Sequence, residues 1–322
     1  MKAIVCNNFG PIRDIEYKDV DEPNLNEDSI LIKVSSVGVN FPDGLLVQGK
    51  YQLKPDTPFI PGMEVAGEVI ELGSNVSDFK IGDRVAGLSR LSGYAEKAAV
   101  NFSSVFKIPE NMSYDDACAL LCAYGTSHYA LKQRGKLEKG ETLVVLGASG
   151  STGIAAIQIG KIIGAKVIAV ASNSKKQKIA KENGADLSIG YDNLKEKLKE
   201  ISGGKGIDVI FDPVGGDTFD TIARTMARKG RLLVIGFASG SIPKLAVNLA
   251  LVKEFSVVGV FWGAFTRAEP DEYKLNMIEL FDWYQKGFLK PLIEESHPLS
   301  QAAEVLEKIL ARGAKGKIIL TP

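Results

Sequence analysis

The residues best suited to chemistry in this 322-residue chain cluster around Thr142–Gly153, read as Thr-Leu-Val-Val-Leu-Gly-Ala-Ser-Gly-Ser-Thr-Gly. An aliphatic run leads into a glycine-rich turn, and Ile154–Ile163 then reads as a helix. A helix N-terminus presents unpaired N–H groups and a partial positive charge, so strand, turn and helix in this order form a phosphate-binding unit. Gly150 and Gly153 let backbone approach a pyrophosphate and let the helix pack close to the strand. Alignment on these two glycines puts Ala148 at the first position of G-x-G-x-x-G, so the fingerprint is imperfect and needs support from the rest of the chain.

The support comes one strand later. An NAD-preferring unit carries an acid about 20 residues beyond the glycines, on the ribose hydroxyls. Here the second strand runs into Ser172, Asn173, Lys175, Lys176 and Lys178, and no acid precedes Glu182. Hydroxyl, amide and ammonium donors attract a 2′-phosphate that a carboxylate would repel, so the pattern favours NADPH, with Lys176 the first choice among the lysines. Two more glycine turns, Phe211–Asp217 and Ile235–Gly240, follow later strands, where ligands bind in open α/β sheets. Other reactive types read as structural. Cys118 and Cys122 have the i, i+4 spacing of a metal pair but also of two small residues on a buried helix face. His128 lies on a helix, His297 precedes a proline, and Asp83 and Asp212 sit at turns.

The elements that must position these residues fall into two kinds. Residues 1 to about 110 are β-rich, with short strand patterns at Ile30–Ser35, Glu64–Gly73 and Asp83–Gly87 separated by Gly, Pro, Asn and Asp clusters, as in a sandwich or barrel. Ser113-Tyr-Asp-Asp opens a capped helix, and Gly125–Arg134 continues as another. From Thr142 strands alternate with helices: Lys166–Ala171, Leu187–Ile189, Ile207–Asp212, Arg231–Gly236 and Phe255–Val260 are the later strands. Such alternation predicts a parallel, doubly wound sheet. The remainder reads as a helix (Asp271–Lys286), a strand (Leu289–Glu294), a helix (Ser300–Arg312) and a last strand (Gly316–Leu320).

The length predicts two domains. Lysine plus arginine balance aspartate plus glutamate at 39 each, which argues against a nucleic-acid partner. The N-terminus enters a strand directly, without the pattern of a signal peptide, and no apolar run nears the roughly 20 residues of a membrane span. Three cysteines argue for a reducing compartment, and the expectation is a cytoplasmic protein.

Taken in order, these residues resemble the zinc-independent medium-chain dehydrogenases/reductases of the NADPH:quinone oxidoreductase branch. The resemblance covers nearly the whole chain. It rests on Gly38-Val-Asn40 with Asp43, Gly49-Lys-Tyr51, Pro61–Gly67, Gly82–Val85, Gly93–Glu96, Gly125-Thr126, Ala148–Gly153, Asp212–Gly216 and Gly236–Gly240. It implies a Rossmann domain (123–261) inserted into a GroES-like catalytic domain (1–122 plus 262–322), a cleft between them, and a homodimer through the edge strand near Phe255–Val260. The resemblance carries Asn40 and Thr126 to the nicotinamide ribose and ring, and Gly150, Ser151, Thr152 and Gly153 to the pyrophosphate. Ser172, Lys176 and Tyr191 go to the 2′-phosphate, and Phe237, Phe261 and Gly263 to the nicotinamide amide, with Lys317 a further cofactor contact.

The departures bear on mechanism. Zinc-dependent relatives carry cysteine and histidine where this chain has Asn40 and Met63, and a four-cysteine lobe where it reads Ser89–Glu96; Glu64 alone survives. One carboxylate cannot hold a zinc ion that needs about four ligands, so no metal is expected. Without a Lewis acid the expected chemistry is hydride transfer to an electron-poor planar acceptor, a quinone or an enone, with hydrogen-bond donors on the developing oxyanion. Asn40 and Tyr51 are the catalytic candidates; Tyr51 falls where related enoyl-thioester reductases carry a catalytic tyrosine, and a purely wall-forming role stays open. Phe41, Tyr51, Phe261 and Trp262 are expected to line an aromatic cleft. Two other readings remain: an enone or enoyl-thioester reductase on the same scaffold, and an NADPH-binding protein with a structural or nucleic-acid-binding role.

Overall fold

The computed structural model describes residues 1–322, which divide into two units, Met1–Cys122 with Met277–Pro322, and Ala123–Asn276. In the first unit, β1 (Lys2–Val5) pairs antiparallel with β2 (Glu16–Asp19). β3 (Ser29–Val39) is the spine of a second sheet and is buried at nearly every position, Lys33 being its one exposed residue, so its burial does not alternate. It pairs with β4 (Glu64–Leu72), and β5 (Arg84–Gly87), β6 (Lys97–Asn101) and β7 (Val105–Lys107) extend the sheet. The end of β3 feeds directly into α1 (Phe41–Val47), whose start is fixed by a capping interaction: the Asp43 carboxylate accepts the Asn40 N–H at 2.8 Å. α2 (Tyr114–Ala119) begins at Ser113, whose hydroxyl accepts the Asp116 N–H at 3.0 Å, and widens into a π-helical turn over Leu120–Tyr124.

The second unit opens with α3 (Gly125–His128) and then alternates: β8 (Thr142–Val145), α4 (Ser151–Ile163), β9 (Lys166–Val170), α5 (Ser174–Glu182), β10 (Leu187–Ile189), α6 (Leu194–Ile201) and β11 (Ile207–Asp212). α7 (Thr218–Ala223), β12 (Met226–Val234), α8 (Asn248–Lys253), β13 (Ser256–Gly259) and α9 (Trp262–Ala268) complete it. All six strands run parallel in the order β10-β9-β8-β11-β12-β13, the doubly wound Rossmann arrangement expected from the alternation. The order reverses between β8 and β11. The turns that leave these two strands, Leu146–Gly153 and Pro213–Gly216, therefore flank the switch point where such sheets bind ligands. Val144, Ile168, Ile210 and Leu232 are fully buried on this sheet.

After α10 (Pro270–Gln285), the chain returns to the sheet of β3 through β14 (Ile293–Pro298), α11 (Ala302–Leu310) and β15 (Lys317–Thr321). β15 lies antiparallel to β3 with Ile318 opposite Val39, which brings the start of the last strand beside Gly38 and Asn40. α11 packs on α1 where Gly44 faces Leu310; a Cβ at Gly44 would come within 2.9 Å of that side chain. The strand expected over Leu289–Glu294 is displaced, running instead over Ile293–Pro298.

One boundary differs from the sequence expectation. Residues 262–276, grouped there with the catalytic domain, belong to the second unit. The reason is aromatic packing: the Trp262 indole fills the space over Gly125 and meets Tyr273 edge-on at 5.7 Å, while Phe265 stacks on Tyr129 at 4.0 Å. Trp262 is thus part of the core of the second unit, 7% exposed, and not an exposed aromatic surface. No helix is long and apolar enough to cross a membrane.

Candidate active site

The first unit builds a buried ionic network around Asn40. β3 ends at Val39, β4 begins at Glu64 and β15 begins at Lys317, so three chain segments far apart in sequence converge on one point. Glu64 is fully buried and every acceptor oxygen is used. Oε1 accepts from the Lys317 ammonium and from Asn40 Nδ2 at 2.9 Å; Oε2 accepts the Cys122 N–H at 2.7 Å. That last bond comes from the π-helical turn, where a carboxylate enters the helix's own hydrogen-bond ladder. Lys317 is 2% exposed and its Nζ also donates to Asn40 Oδ1 at 2.8 Å. Burial opposes its charge, but Glu64 beside it prevails and its pKa lies above the usual lysine value. Asn40 is half-buried, and its amide is held from both ends, oxygen by Lys317 and nitrogen by Glu64.

The network is tightly built. Gly38 is opposite Glu64 in the β3–β4 register, and a Cβ there would overlap Glu64 Oε1 and lie 2.7 Å from Lys317 Cε. Asp43, also fully buried, accepts from Asn40 N–H and, through the same Oδ2, from the Tyr94 hydroxyl at 3.1 Å. Burial pushes the Asp43 carboxyl up to about 7. Burial likewise pushes Cys118 and Cys122 well above the usual thiol value, so neither is a nucleophile near neutrality. No three His, Cys, Asp or Glu side chains come together as a metal cluster would require.

The second unit carries the glycine turn. Gly147, not Ala148, takes the left-handed conformation (φ +56°), and Ala148 is buried with its N–H on Val170 O at 3.2 Å. The missing first glycine of the fingerprint is thus displaced by one residue. Gly150 caps α4, and a Cβ added there meets nothing closer than Gly147 O at 3.4 Å. Gly153 is different: its Cβ would reach Gly147 O at 2.5 Å and Ala148 Cα at 2.8 Å, so the helix packs on the turn only with glycine there. Ser151 and Thr152 occupy the first turn of α4 and are half-buried. The Gly147 N–H donates to the Tyr191 hydroxyl at 3.3 Å, which draws Tyr191 to the glycine turn.

At the end of β9, Ser172 is exposed and Asn173 caps α5, accepting the Lys176 N–H at 3.0 Å. Lys176 is half-buried, Lys175 is exposed, and Lys178 lies 3.7 Å from Glu182. Asp212 is buried and accepts the N–H groups of Val214 (2.8 Å) and Gly215 (2.9 Å), a turn role. Asp83 accepts the Lys80 N–H at 3.0 Å and pairs with Lys107. Phe237 lies beside Gly215, Phe261 is exposed, Gly263 is half-buried in the first turn of α9, and Thr126 is half-buried on α3. Tyr51 is half-buried after α1. His128 is enclosed in the second unit, and His297 Nδ1 meets Gln301 Oε1 at 2.8 Å. Sequence reasoning missed Tyr94 and the role of Asp43; the capping pattern of Asn40 and Asp43 was the available signal for the latter.

The family described as "Alcohol dehydrogenase GroES-like domain" matches residues 26–110, and "Zinc-binding dehydrogenase" matches residues 151–283. The chain is 38% identical to a quinone oxidoreductase-like protein 2 homolog of Nematostella vectensis, over 99% of this chain and 88% of that one. It is 34% identical to the quinone oxidoreductase of Homo sapiens, over 99% and 97% respectively. Among solved structures it is similar to Escherichia coli quinone oxidoreductase complexed with NADPH (TM-score 0.93, 27% identity, 100% of both chains). A quinone oxidoreductase of Pseudomonas syringae pv. Tomato DC3000 gives TM-score 0.93 at 30% identity, over 100% and 99%.

Proposed function

We infer the function from the family: this chain belongs to the medium-chain dehydrogenases/reductases, in the quinone oxidoreductase branch, with a GroES-like domain and a Rossmann domain. Our reading is an NADPH-dependent reductase of a quinone, working without zinc. When bound, NADPH supplies a hydride. The observation that carries the cofactor choice is the end of β9: Ser172, Asn173 and Lys176 with no acid before Glu182, and Tyr191 drawn to the glycine turn. A complex with NADPH is also what the similar E. coli structure is named for.

In this reading the open space over Gly150 and the N-terminus of α4, with Ser151, Thr152 and Gly153, accept the pyrophosphate. Ser172, Lys176 and Tyr191 hold the 2′-phosphate. Asn40 and Thr126 orient the nicotinamide ribose and ring, and Phe237, Phe261 and Gly263 face its amide. Lys317 acts through Asn40, since its ammonium is engaged by Glu64 and the Asn40 amide. The same ammonium favours zinc independence: Glu64, the one residue left of the relatives' ligand set, is already neutralised by a cation. Tyr51 donates a hydrogen bond to the acceptor's developing oxyanion. The protein is cytoplasmic, in keeping with three unpaired cysteines, and dimerises through β13.

One experiment tests the core of this reading. NADPH oxidation is followed with a panel of quinones, enones and enoyl thioesters, alongside NADH and the variants Lys176→Ala and Tyr51→Phe. We expect NADPH to be preferred, Lys176→Ala to raise its KM about tenfold or more, consistent with loss of a charge-assisted hydrogen bond, and Tyr51→Phe to lower kcat with quinones. Preference for an enoyl thioester would move the assignment to that acceptor. Tight NADPH binding without turnover of any acceptor would favour the binding-protein reading, and equal use of NADH would remove the 2′-phosphate site.

A further inference from the structure

The two units share the charge of this neutral chain unequally. The first carries 17 Lys and Arg against 24 Asp and Glu, the second 22 against 15. Most of the second unit's excess lies in residues 161–205, which hold ten lysines and five acids. This stretch ends α4 and forms β9, α5, β10 and α6, so the lysines belong to the elements at the β9–β10 end of the sheet. Few of them are neutralised. Lys161 pairs with Asp186 and Lys178 with Glu182, whereas Lys195, Lys199 and Lys205 are exposed and belong to neither pair. The placement does not serve the helices. α5 has no acid in its first turn and puts Lys175 and Lys176 there, at the helix end that is already positive. α6 sets Lys195 and Lys199 at the four-residue spacing where like charges weaken a helix.

We propose that this end of the second unit is an electrostatic collecting surface for a polyanionic dinucleotide. Lys195, Lys199 and Lys205 make no contact with the bound cofactor but raise the rate at which it arrives, and raise it more for NADPH than for NADH. The identity of the ligand rests on the NADPH reading; the field does not. A surface of one sign concentrates ligands of the other and speeds their association without touching them. NADPH brings about four negative charges, two on its pyrophosphate and nearly two on its 2′-phosphate, and NADH about two. Attraction grows with that charge, so selection between the two cofactors begins before contact. The composition suits a small anion better than a nucleic-acid strand. All ten basic residues of the stretch are lysines, point charges without the planar fork of arginine. Tyr191 is its one aromatic residue, whereas single strands are held on successive aromatic faces.

The test compares the full chain with the triple variant Lys195→Gln, Lys199→Gln, Lys205→Gln, which removes charge at exposed positions and adds none. Without cofactor, NMR relaxation of backbone amides by an anionic and by a cationic nitroxide reads the field itself. The anionic probe is expected to act more strongly along α5 and α6 in the parent, and the difference between probes to shrink in the variant. Stopped-flow binding then reads the steering. At about 0.01 M salt, where charges act over about 30 Å, the variant should bind NADPH about threefold more slowly or worse, with its dissociation rate unchanged. At about 1 M salt, where the reach is about 3 Å, both proteins should bind it at one rate. NADH should show a smaller effect of both salt and substitution. Equal action of the two probes along α5 and α6 would overturn the field. Association rates that ignore salt or the triple variant would overturn the steering, and a change confined to dissociation would make these lysines direct contacts instead. Salt-dependent binding of an RNA oligonucleotide that the triple variant abolishes would give the surface to a nucleic acid and overturn the proposal. A parent protein that has the field but binds no NADPH at any salt concentration would refute the NADPH reading itself.

Discussion

At the scale of the residue, the decisive feature is a lysine doing the work of a counter-ion in a place that water does not reach. Lys317 is 277 positions from Asn40 in sequence, yet its ammonium closes the charge on Glu64 and fixes the Asn40 amide. Breaking a buried pair from one side is costlier than replacing both partners, because the remaining charge has no compensation. Lys317→Met is therefore expected to destabilise the protein by about 3–5 kcal/mol, while Lys317→Met with Glu64→Gln recovers most of that loss; denaturant melts of the three proteins measure it. If the double variant is no more stable than the single one, the pair is not an isolated ionic unit. Asn40, Glu64 and Lys317 were all visible in the sequence as a pattern, but their chemistry was not. Glu64 read as the remnant of a metal site, and Lys317 as a direct cofactor contact. The Tyr94 bond to Asp43 was invisible, because it is made across a loop that no local spacing encodes, whereas the Asn40–Asp43 capping spacing was there to be read.

At the scale of the element, the glycine turn separates two demands that a sequence fingerprint merges. Gly153 answers to the protein itself, since a side chain there would strike the Gly147 carbonyl and Ala148. Gly150 answers to nothing in the protein, where a methyl group would have room. Gly153→Ala should therefore cost about 1–3 kcal/mol through overpacking and lower NADPH affinity with it. Gly150→Ala should melt within about 0.5 kcal/mol of the parent, as substitutions outside packed sites do, yet lose NADPH binding at least tenfold. Melting curves beside fluorescence titrations separate the two; normal NADPH affinity in Gly150→Ala would mean that no phosphate lies over that glycine. Although α6, α7 and α8 were not singled out and β12 begins at Met226 rather than Arg231, the strands of this unit were legible, because buried parallel strands are continuous aliphatic runs. The left-handed glycine at 147 was not, since a fingerprint fixes spacing but not which residue of the turn bends. The unit's C-terminal limit was also misjudged, because the packing of Trp262, Phe265 and Tyr273 is a tertiary fact.

At the scale of the whole molecule, the sheet of the second unit leaves an account open. β13 is its last strand, hydrogen-bonded to β12 on one side only. An uncovered edge strand is a template for another chain, and proteins blunt such edges with charge, proline or bulges. Here Val257 on the strand and Leu251 and Val252 on the helix before it are exposed, the last two by more than three-quarters, so the edge is apolar where a lone protein would be guarded. A two-fold axis across β13 would pair the strand with its own copy in antiparallel register and cover these side chains from both sides, an isologous contact that closes on itself. Sedimentation at micromolar concentration is then expected to give a dimer. The double variant Leu251→Lys, Val257→Lys should give a monomer, because like charges would face each other across the axis. Since β13 is held within its own sheet by β12, the monomeric variant should keep NADPH binding and lose only the concentration dependence of its melting temperature. A parent protein that sediments as a monomer would mean that this edge is covered by something other than a second copy of the chain.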